Sequence, residues 1–195
     1  MKRNIVLVQG HPDPARIHLC HALGKAYADG AREADHRVKE IDIASLNFPI
    51  LRNEADYSAA IPESLQPAFD AVLSADHVVI VFPLWLGTLP ALTKAFFEQL
   101  FHRTIAFEDA RGRTGFPTGL LTGRSARLVT TMSTPPLMYR YWYGAHGLKW
   151  FEQNALNLVG IRPVRKTLLG PSMSANEATR AKWVEMMRKL GHAGK

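Results

Sequence analysis

The chain has 195 residues, 47% of them hydrophobic, which is enough to bury one sizeable core, so residues 1–195 are expected to form a single domain. Its formal charge of +7 comes from Lys and Arg scattered in short pairs such as Lys2-Arg3, Arg165-Lys166 and Arg188-Lys189, not from the clustered basic face that nucleic-acid binding needs. No window approaches the roughly 18–20 apolar residues of a bilayer span, no signal-like opening segment is present, and the lone Cys20 excludes an internal disulfide, so a cytoplasmic protein without membrane insertion or metal is expected.

The apolar run from Asn4 to Gln9 predicts a first strand. The loop Gly10-His11-Pro12-Asp13-Pro14-Ala15-Arg16-Ile17-His18 then opens a helix on the stripe Leu19, Leu23 and Ala26. Two prolines and an Asp fix a turn ahead of a helix N-terminus, whose N–H groups and dipole favour an anion such as a phosphate, and Arg16 adds charge. The plainer alternative is a capped turn with solvent-facing histidines. Neither G-x-G-x-x-G nor the P-loop G-x-x-x-x-G-K-[ST] occurs in the chain.

A second strand is predicted over Arg37 to Ile43, and a helix on Leu65, Phe69, Val72 and Leu73. The third strand, His77 to Phe82, runs into Pro83-Leu84-Trp85-Leu86-Gly87-Thr88-Leu89-Pro90 and a helix with the stripe Leu92, Phe96 and Leu100. Phe97 and Phe101 lie off that stripe, which predicts a second apolar face buried in a twofold dimer. Trp85 sits where the loop leaves the core, and Gly87 lets backbone approach a ligand closely, which suits a flat heteroaromatic ring. An isoalloxazine offers alternating carbonyl and nitrogen acceptors that backbone N–H groups can meet while Trp and Leu cover its rim. The alternative is a buried Trp that caps the sheet.

The fourth strand, Ala126 to Met132, ends in Thr130-Thr131-Met132-Ser133-Thr134-Pro135-Pro136, a run of hydroxyls and backbone amides, and continues into an aromatic stretch from Leu137 to Gly147. Tyr139 and His146 in that stretch can exchange hydrogen bonds with a partner that gains charge on reduction. A helix is then predicted on Trp150, Asn154 and Leu158, a fifth strand near Val164 to Leu169, and a last helix on Ala178, Trp183, Val184, Met187 and Leu190. Short strands rich in Val, Ile and Leu, alternating with helices, predict an α/β fold with a mainly parallel sheet whose strands are buried on both faces. Ligands of such sheets bind beyond the carboxyl ends of the strands, where strand order reverses, so the loops after strands one, three and four carry the chemistry.

These stretches resemble the NAD(P)H:quinone oxidoreductases of DT-diaphorase type and their bacterial relatives, the drug-activity modulator and the potassium-efflux ancillary flavoproteins. The likeness spans nearly the whole chain. Its most specific parts are Gly10-His11-Pro12-Asp13-Pro14, the segment from Ala75-Asp76-His77 through Phe82-Pro83-Leu84-Trp85 to Pro90-Ala91 and Lys94, the lead Gly123-Arg124-Ser125-Ala126 into Thr130-Thr131, and Gly160-Ile161. The resemblance implies a flavodoxin-like three-layer sandwich with a five-stranded parallel sheet of order 2-1-3-4-5. It implies a bound FAD, or else FMN, with NADH or NADPH as hydride donor and a quinone-like acceptor. It also implies a homodimer with sites at the interface, and ping-pong hydride transfer.

Carried over by position, His11, Arg16, Ile17, His18, Pro83, Leu84, Trp85, Leu86, Gly87, Thr130 and Thr131 line the flavin. Tyr139 and His146 resemble the family's catalytic Tyr/His pair, one residue further apart than in the mammalian pattern. Phe107, with Trp85 and Tyr139, falls at the acceptor pocket, and Asp109 stands where the mammalian enzymes have a second tyrosine. The family's Ser or Thr and Asn near the flavin phosphates are replaced by Ala15-Arg16-Ile17-His18, which leaves that contact to backbone amides and Arg16. The alternative function is a flavin-binding regulatory subunit of a membrane potassium-efflux transporter. A flavodoxin-type electron carrier is disfavoured by the basic charge. A phosphatase reading fails because Ala26 stands where the Cys-x5-Arg loop needs Arg after Cys20, and a phospho-receiver reading fails because Pro83 replaces the acceptor Asp.

Overall fold

The computed structural model describes residues 2–15, 18–102, 107–108 and 118–195, with only the backbone of Phe107, Glu108 and Thr118. Five strands, β1 (Asn4–Gln9), β2 (Arg37–Asp42), β3 (His77–Pro83), β6 (Ser125–Thr131) and β7 (Val164–Leu169), form a parallel sheet in the order β2-β1-β3-β6-β7. Leaving out the two-residue strands β4 (Phe107–Glu108) and β5 (Thr118–Gly119), which pair with each other, this is the expected 2-1-3-4-5 order. Order reverses between β1 and β3, which pair through Leu7 and Val79.

Alternation along the strands divides the core. Val6, Val8, Val78, Ile80, Phe82 and Leu128 face α3 (Gln66–Ser74), α4 (Ala91–Phe101) and α6 (His146–Phe151). Ile5, Leu7, Val79, Val81 and Val129 face α1 (Leu19–Glu33) and α7 (Glu177–His192). Burial on both faces holds for β3, where every residue is buried, but not at the edges. In β2 only Ile41 is buried, and in β7 only Thr167 and Leu169, because an edge strand lacks a covering neighbour on one side. β2 also ends one residue earlier than expected, where the Asp42 carboxylate accepts from the Ala44 N–H at 3.2 Å and starts a 3-10 turn.

Two expectations about helices are corrected. Phe97 is buried inside this chain, its ring 5.2 Å from Phe96, 5.4 Å from Phe101 and 5.0 Å from Phe151, so the second apolar face of α4 is covered internally and gives no support to a dimer. The stripe Trp150, Asn154 and Leu158 faces outward, and Leu148, Phe151, Leu156 and Val159 are buried instead. Phe151 and not its neighbour Trp150 is buried, and a π turn at Glu152–Leu156, in which the Asn157 N–H donates to Glu152 O, five residues back, at 2.8 Å, then carries the buried face on to Leu156. One extra residue per turn rotates the apolar face away from a 3.6-residue stripe.

Helices α1 and α7 touch backbone to backbone. A Cβ on Gly30 would lie 2.1 Å from Arg188 O, and one on Gly191 2.0 Å from Tyr27 O. Reciprocal glycines allow that approach, and the helix pair closes one layer of the sandwich. Among the described residues no helix is long and apolar enough to cross a membrane.

Candidate functional site

Three loops meet at the carboxyl edge of the sheet. The first is anchored by the Gly10 N–H, which donates to Val81 O at 2.7 Å, and by the Thr93 hydroxyl, which donates to Gly10 O at 2.6 Å. It gathers imidazoles: His11 and His18 stack with centroids 3.9 Å apart, and His21 lies 5.3 Å from His11. His18 Nε2 is 2.6 Å from Asp13 Oδ2, and the Asp13 N–H donates to His11 Nδ1 at 3.2 Å. Burial, followed by the positive potential of His18 and His21, holds His11 below the ordinary imidazole pKa, so it is neutral at pH 7. The hydrogen bond from His18 holds Asp13 below the usual carboxylate range. Among the described residues α1 has no side-chain cap and no acidic residue in its first turn, which leaves its positive end favourable to an anion.

The second loop is a two-residue hairpin. Trp85 and Thr88 exchange N–H to O bonds of 3.0 Å in both directions, and Leu86 and Gly87 have φ of 47° and 80°. Two central residues at positive φ make this a type I′ turn, which favours Asn, Asp or Gly at the position Leu86 occupies. A left-handed Leu costs about 1–2 kcal/mol, and its side chain is fully exposed. The N–H groups of Leu86 and Gly87 have no partner among the described residues. Trp85 is half exposed, not a buried cap, with its ring edge-on to His11 at 6.2 Å.

The third loop departs from expectation. Thr130 and Thr131 are buried, because β6 is an inner strand covered on both faces. The Thr131 hydroxyl lies 3.3 Å from the Cys20 sulfur, and burial pushes that thiol up to about 11. Neither threonine therefore offers its hydroxyl to a ligand. Ser133 and Thr134, just past the strand, line the cleft described next.

A cleft of about 590 Å³ lies between the second and third loops, lined by Leu84, Leu86, Gly87, Thr88, Met132, Ser133, Thr134, Tyr139, Tyr143, His146 and Gly147. It brings together Tyr139, His146, Leu84, Leu86 and Gly87 of the expected residues. Trp85, between the lining residues Leu84 and Leu86, stands edge-on to His11, whereas His18 lines a separate cavity with Gln9 and His21, and Pro83 is buried at the end of β3. Arg16, Ile17 and the Phe107 side chain lie outside the described residues. Sequence reading assigned no role to Thr88 and Gly147, which carry no motif of their own. Of the expected aromatic wall only Tyr139 and Tyr143 line the cleft; Tyr141 and Trp142 point to solvent.

Tyr139 is buried and its hydroxyl donates to Gly87 O at 2.8 Å. Burial raises its pKa, which keeps the phenol protonated. His146 is exposed at the start of α6, its ring folded over Gly144, where a Cβ would lie 2.5 Å from Nε2. Among the described residues no group of three or more His, Cys, Asp or Glu side chains can hold a metal ion.

Residues 3–190 match the family model Flavodoxin_2, described as flavodoxin-like fold. A relative from Haemophilus influenzae named as an uncharacterized NAD(P)H oxidoreductase is 26% identical, over 94% of this chain and 91% of its own. An FMN-dependent NADH:quinone oxidoreductase of Nitratidesulfovibrio vulgaris is 23% identical over 95% of this chain and 97% of its own. The solved structure of an NAD(P)H:quinone oxidoreductase from Methanothermobacter marburgensis superposes with a TM-score of 0.81 at 16% identity, covering 100% of both chains.

Proposed function

The chain belongs to the Flavodoxin_2 family of flavodoxin-like fold, and on that premise we propose that it is an FMN-dependent NAD(P)H:quinone oxidoreductase of the cytoplasm. The observation that carries this reading is the cleft itself. Two turn N–H groups without a partner among the described residues, a half-exposed Trp beside them and an exposed His stand around one concavity between the loops after β3 and β6, at the carboxyl edge of the sheet. The residues fit a flavin. Leu86 and Gly87 N–H meet acceptors on its polar edge, Trp85, Leu84 and Leu86 cover its rim, and the open end of α1 with His11, His18 and Arg16 takes the phosphate. FMN replaces the FAD that the resemblance put first, because a relative matched over 95% of this chain and 97% of its own is named as FMN-dependent.

When bound, the flavin supplies two-electron chemistry, taking hydride from a nicotinamide and passing the electrons on. The protein holds the ring, keeps bulk water from its buried side, and places His146 as a donor where negative charge develops on reduction. One cleft serves donor and acceptor in turn, which gives ping-pong kinetics. The exposed Leu137, Tyr141, Trp142 and Trp150 form an apolar surface beside the cleft that a second subunit covers. The regulatory-subunit alternative draws nothing from the relatives, which are named as oxidoreductases.

The test is a flavin titration followed by rapid mixing. The protein is expected to bind one FMN per chain at micromolar concentration or tighter, and His146→Ala to slow flavin reduction by roughly ten- to a thousandfold with FMN affinity nearly unchanged. A folded protein that binds no flavin overturns the proposal, and a wild-type reduction rate in the variant removes His146 from it.

A further inference from the structure

The Gly87 carbonyl is held from two directions. The Tyr139 hydroxyl donates to it at 2.8 Å, and α6 packs so closely against it that a Cβ on Gly147 would lie 2.2 Å away. The same tyrosine reaches the start of α6 through its own backbone carbonyl, which accepts from the Ala145 N–H at 3.1 Å. Ala145, the residue that enters α6, is itself left-handed at φ 49°. Tyr139 thus joins three segments: α5 (Pro136–Tyr141), the Trp85–Thr88 turn, and the helix start that bears His146.

We propose that Tyr139 is a positioning residue, a latch that holds the strained turn and the start of α6 in register as the two walls of the cleft. This rests on the flavin reading above and changes the part Tyr139 plays in it. A hydroxyl already donating to a backbone carbonyl has no second proton to offer, so it is not the relay to the ring that the family resemblance implies. The turn needs such a latch. Leu86 is held at a φ that a residue with a Cβ rarely adopts, and such strain persists only where the surroundings over-determine it. With the Gly87 carbonyl released, the hairpin relaxes and Leu86 and Gly87 leave their places in the cleft wall.

Tyr139→Phe tests this, because it deletes the hydroxyl and keeps the ring. In the flavin-free protein the variant is expected to speed amide hydrogen exchange at Trp85 and Thr88, whose N–H groups close the turn, by roughly tenfold, the scale of losing one hydrogen bond, with other core amides unchanged. In the loaded protein the FMN Kd is expected to rise by a similar factor and the potential of the bound flavin to fall, since N–H donors that favour the reduced ring are displaced. Adding Leu86→Asn, which tolerates positive φ, is expected to shrink both effects by half or more. Gly147→Ala, which crowds the same carbonyl with the hydroxyl intact, is expected to reproduce them and serves in place of Tyr139→Phe should that variant not fold. The latch is overturned if exchange, Kd and potential stay at wild-type values while flavin reduction slows and its pH profile moves, the signature of a proton relay. If the wild-type protein binds no FMN, the flavin reading falls, yet the exchange measurement still decides for or against the latch.

Discussion

The imidazoles of His11 and His18 lie nearly parallel, 14° between planes and 3.9 Å between centroids, at the open end of α1. His18 is tied to Asp13 at 2.6 Å and faces outward, while His11 is buried behind it. The pair stands at the helix end proposed above to take the FMN phosphate. His18→Ala is expected to raise the Kd for FMN by about tenfold, the scale of one lost charge-assisted hydrogen bond, and to leave riboflavin, which lacks the phosphate, almost unaffected. Fluorescence titration with both ligands checks this, and equal losses for the two would move the phosphate elsewhere. In the same variant the His11 imidazole is expected to titrate at higher pH by NMR, because a neighbour that lowers its pKa has gone.

At the opposite edge, His77 is buried with Nδ1 2.8 Å from the Ser125 hydroxyl, and its pKa is lowered to about 4, chiefly by burial and then by Arg3 and Arg127. The unfolded chain titrates this group near 6.5, so between pH 6.5 and 4 the unfolded state binds more protons. Its contribution to stability is complete above pH 6.5 and is lost as pH falls through that window, by at most about 3 kcal/mol. Urea unfolding at pH 7 and pH 4.5 is expected to show the loss, and His77→Gln to flatten it. A variant with the wild-type slope assigns the acid sensitivity to other groups.

Gly30→Ala adds a good helix former but forces a methyl into Arg188 O across the α1–α7 contact. Overpacking outweighs propensity here, and a net loss of roughly 1–3 kcal/mol is expected. Thermal unfolding measures it, and an unchanged or raised Tm contradicts the backbone contact.

Trp142 is 81% exposed, and Tyr141 beside it 76%, next to the cleft. If a second subunit covers them, sedimentation of the wild-type protein gives a dimer at micromolar concentration and Trp142→Arg shifts it to monomer. A monomeric wild-type protein removes the dimer and the interface site together.

The sheet was legible because its inner strands are short uninterrupted runs such as Val78-Val79-Ile80-Val81, and the alternation with helices leaves little choice of topology. The first and third loops of chemistry were legible in place, though not in detail. Thr130 looked available because a strand end is ambiguous by one residue, and that residue decides whether a hydroxyl faces the core or the ligand. Trp150 misled because it stands next to Phe151, and periodicity does not say which of two adjacent aromatics faces the sheet; the π turn that then carries the buried face on to Leu156 has no sequence period to betray it. The Tyr139 to Gly87 bond joins residues 52 apart in the chain and depends on a carbonyl, which every residue carries. No pattern of side chains announces such a contact. Phe97 misled for a related reason: periodicity reports a second apolar face without saying that Phe151 covers it.

The most direct test of the oxidoreductase account is an anaerobic titration of the FMN-loaded protein, followed by flavin absorbance. The account predicts that one equivalent of NADH or NADPH bleaches the flavin and that one equivalent of a soluble quinone then restores its colour. A folded, flavin-loaded protein that stays yellow with excess nicotinamide, or that is reduced but cannot be reoxidised by quinone, contradicts it.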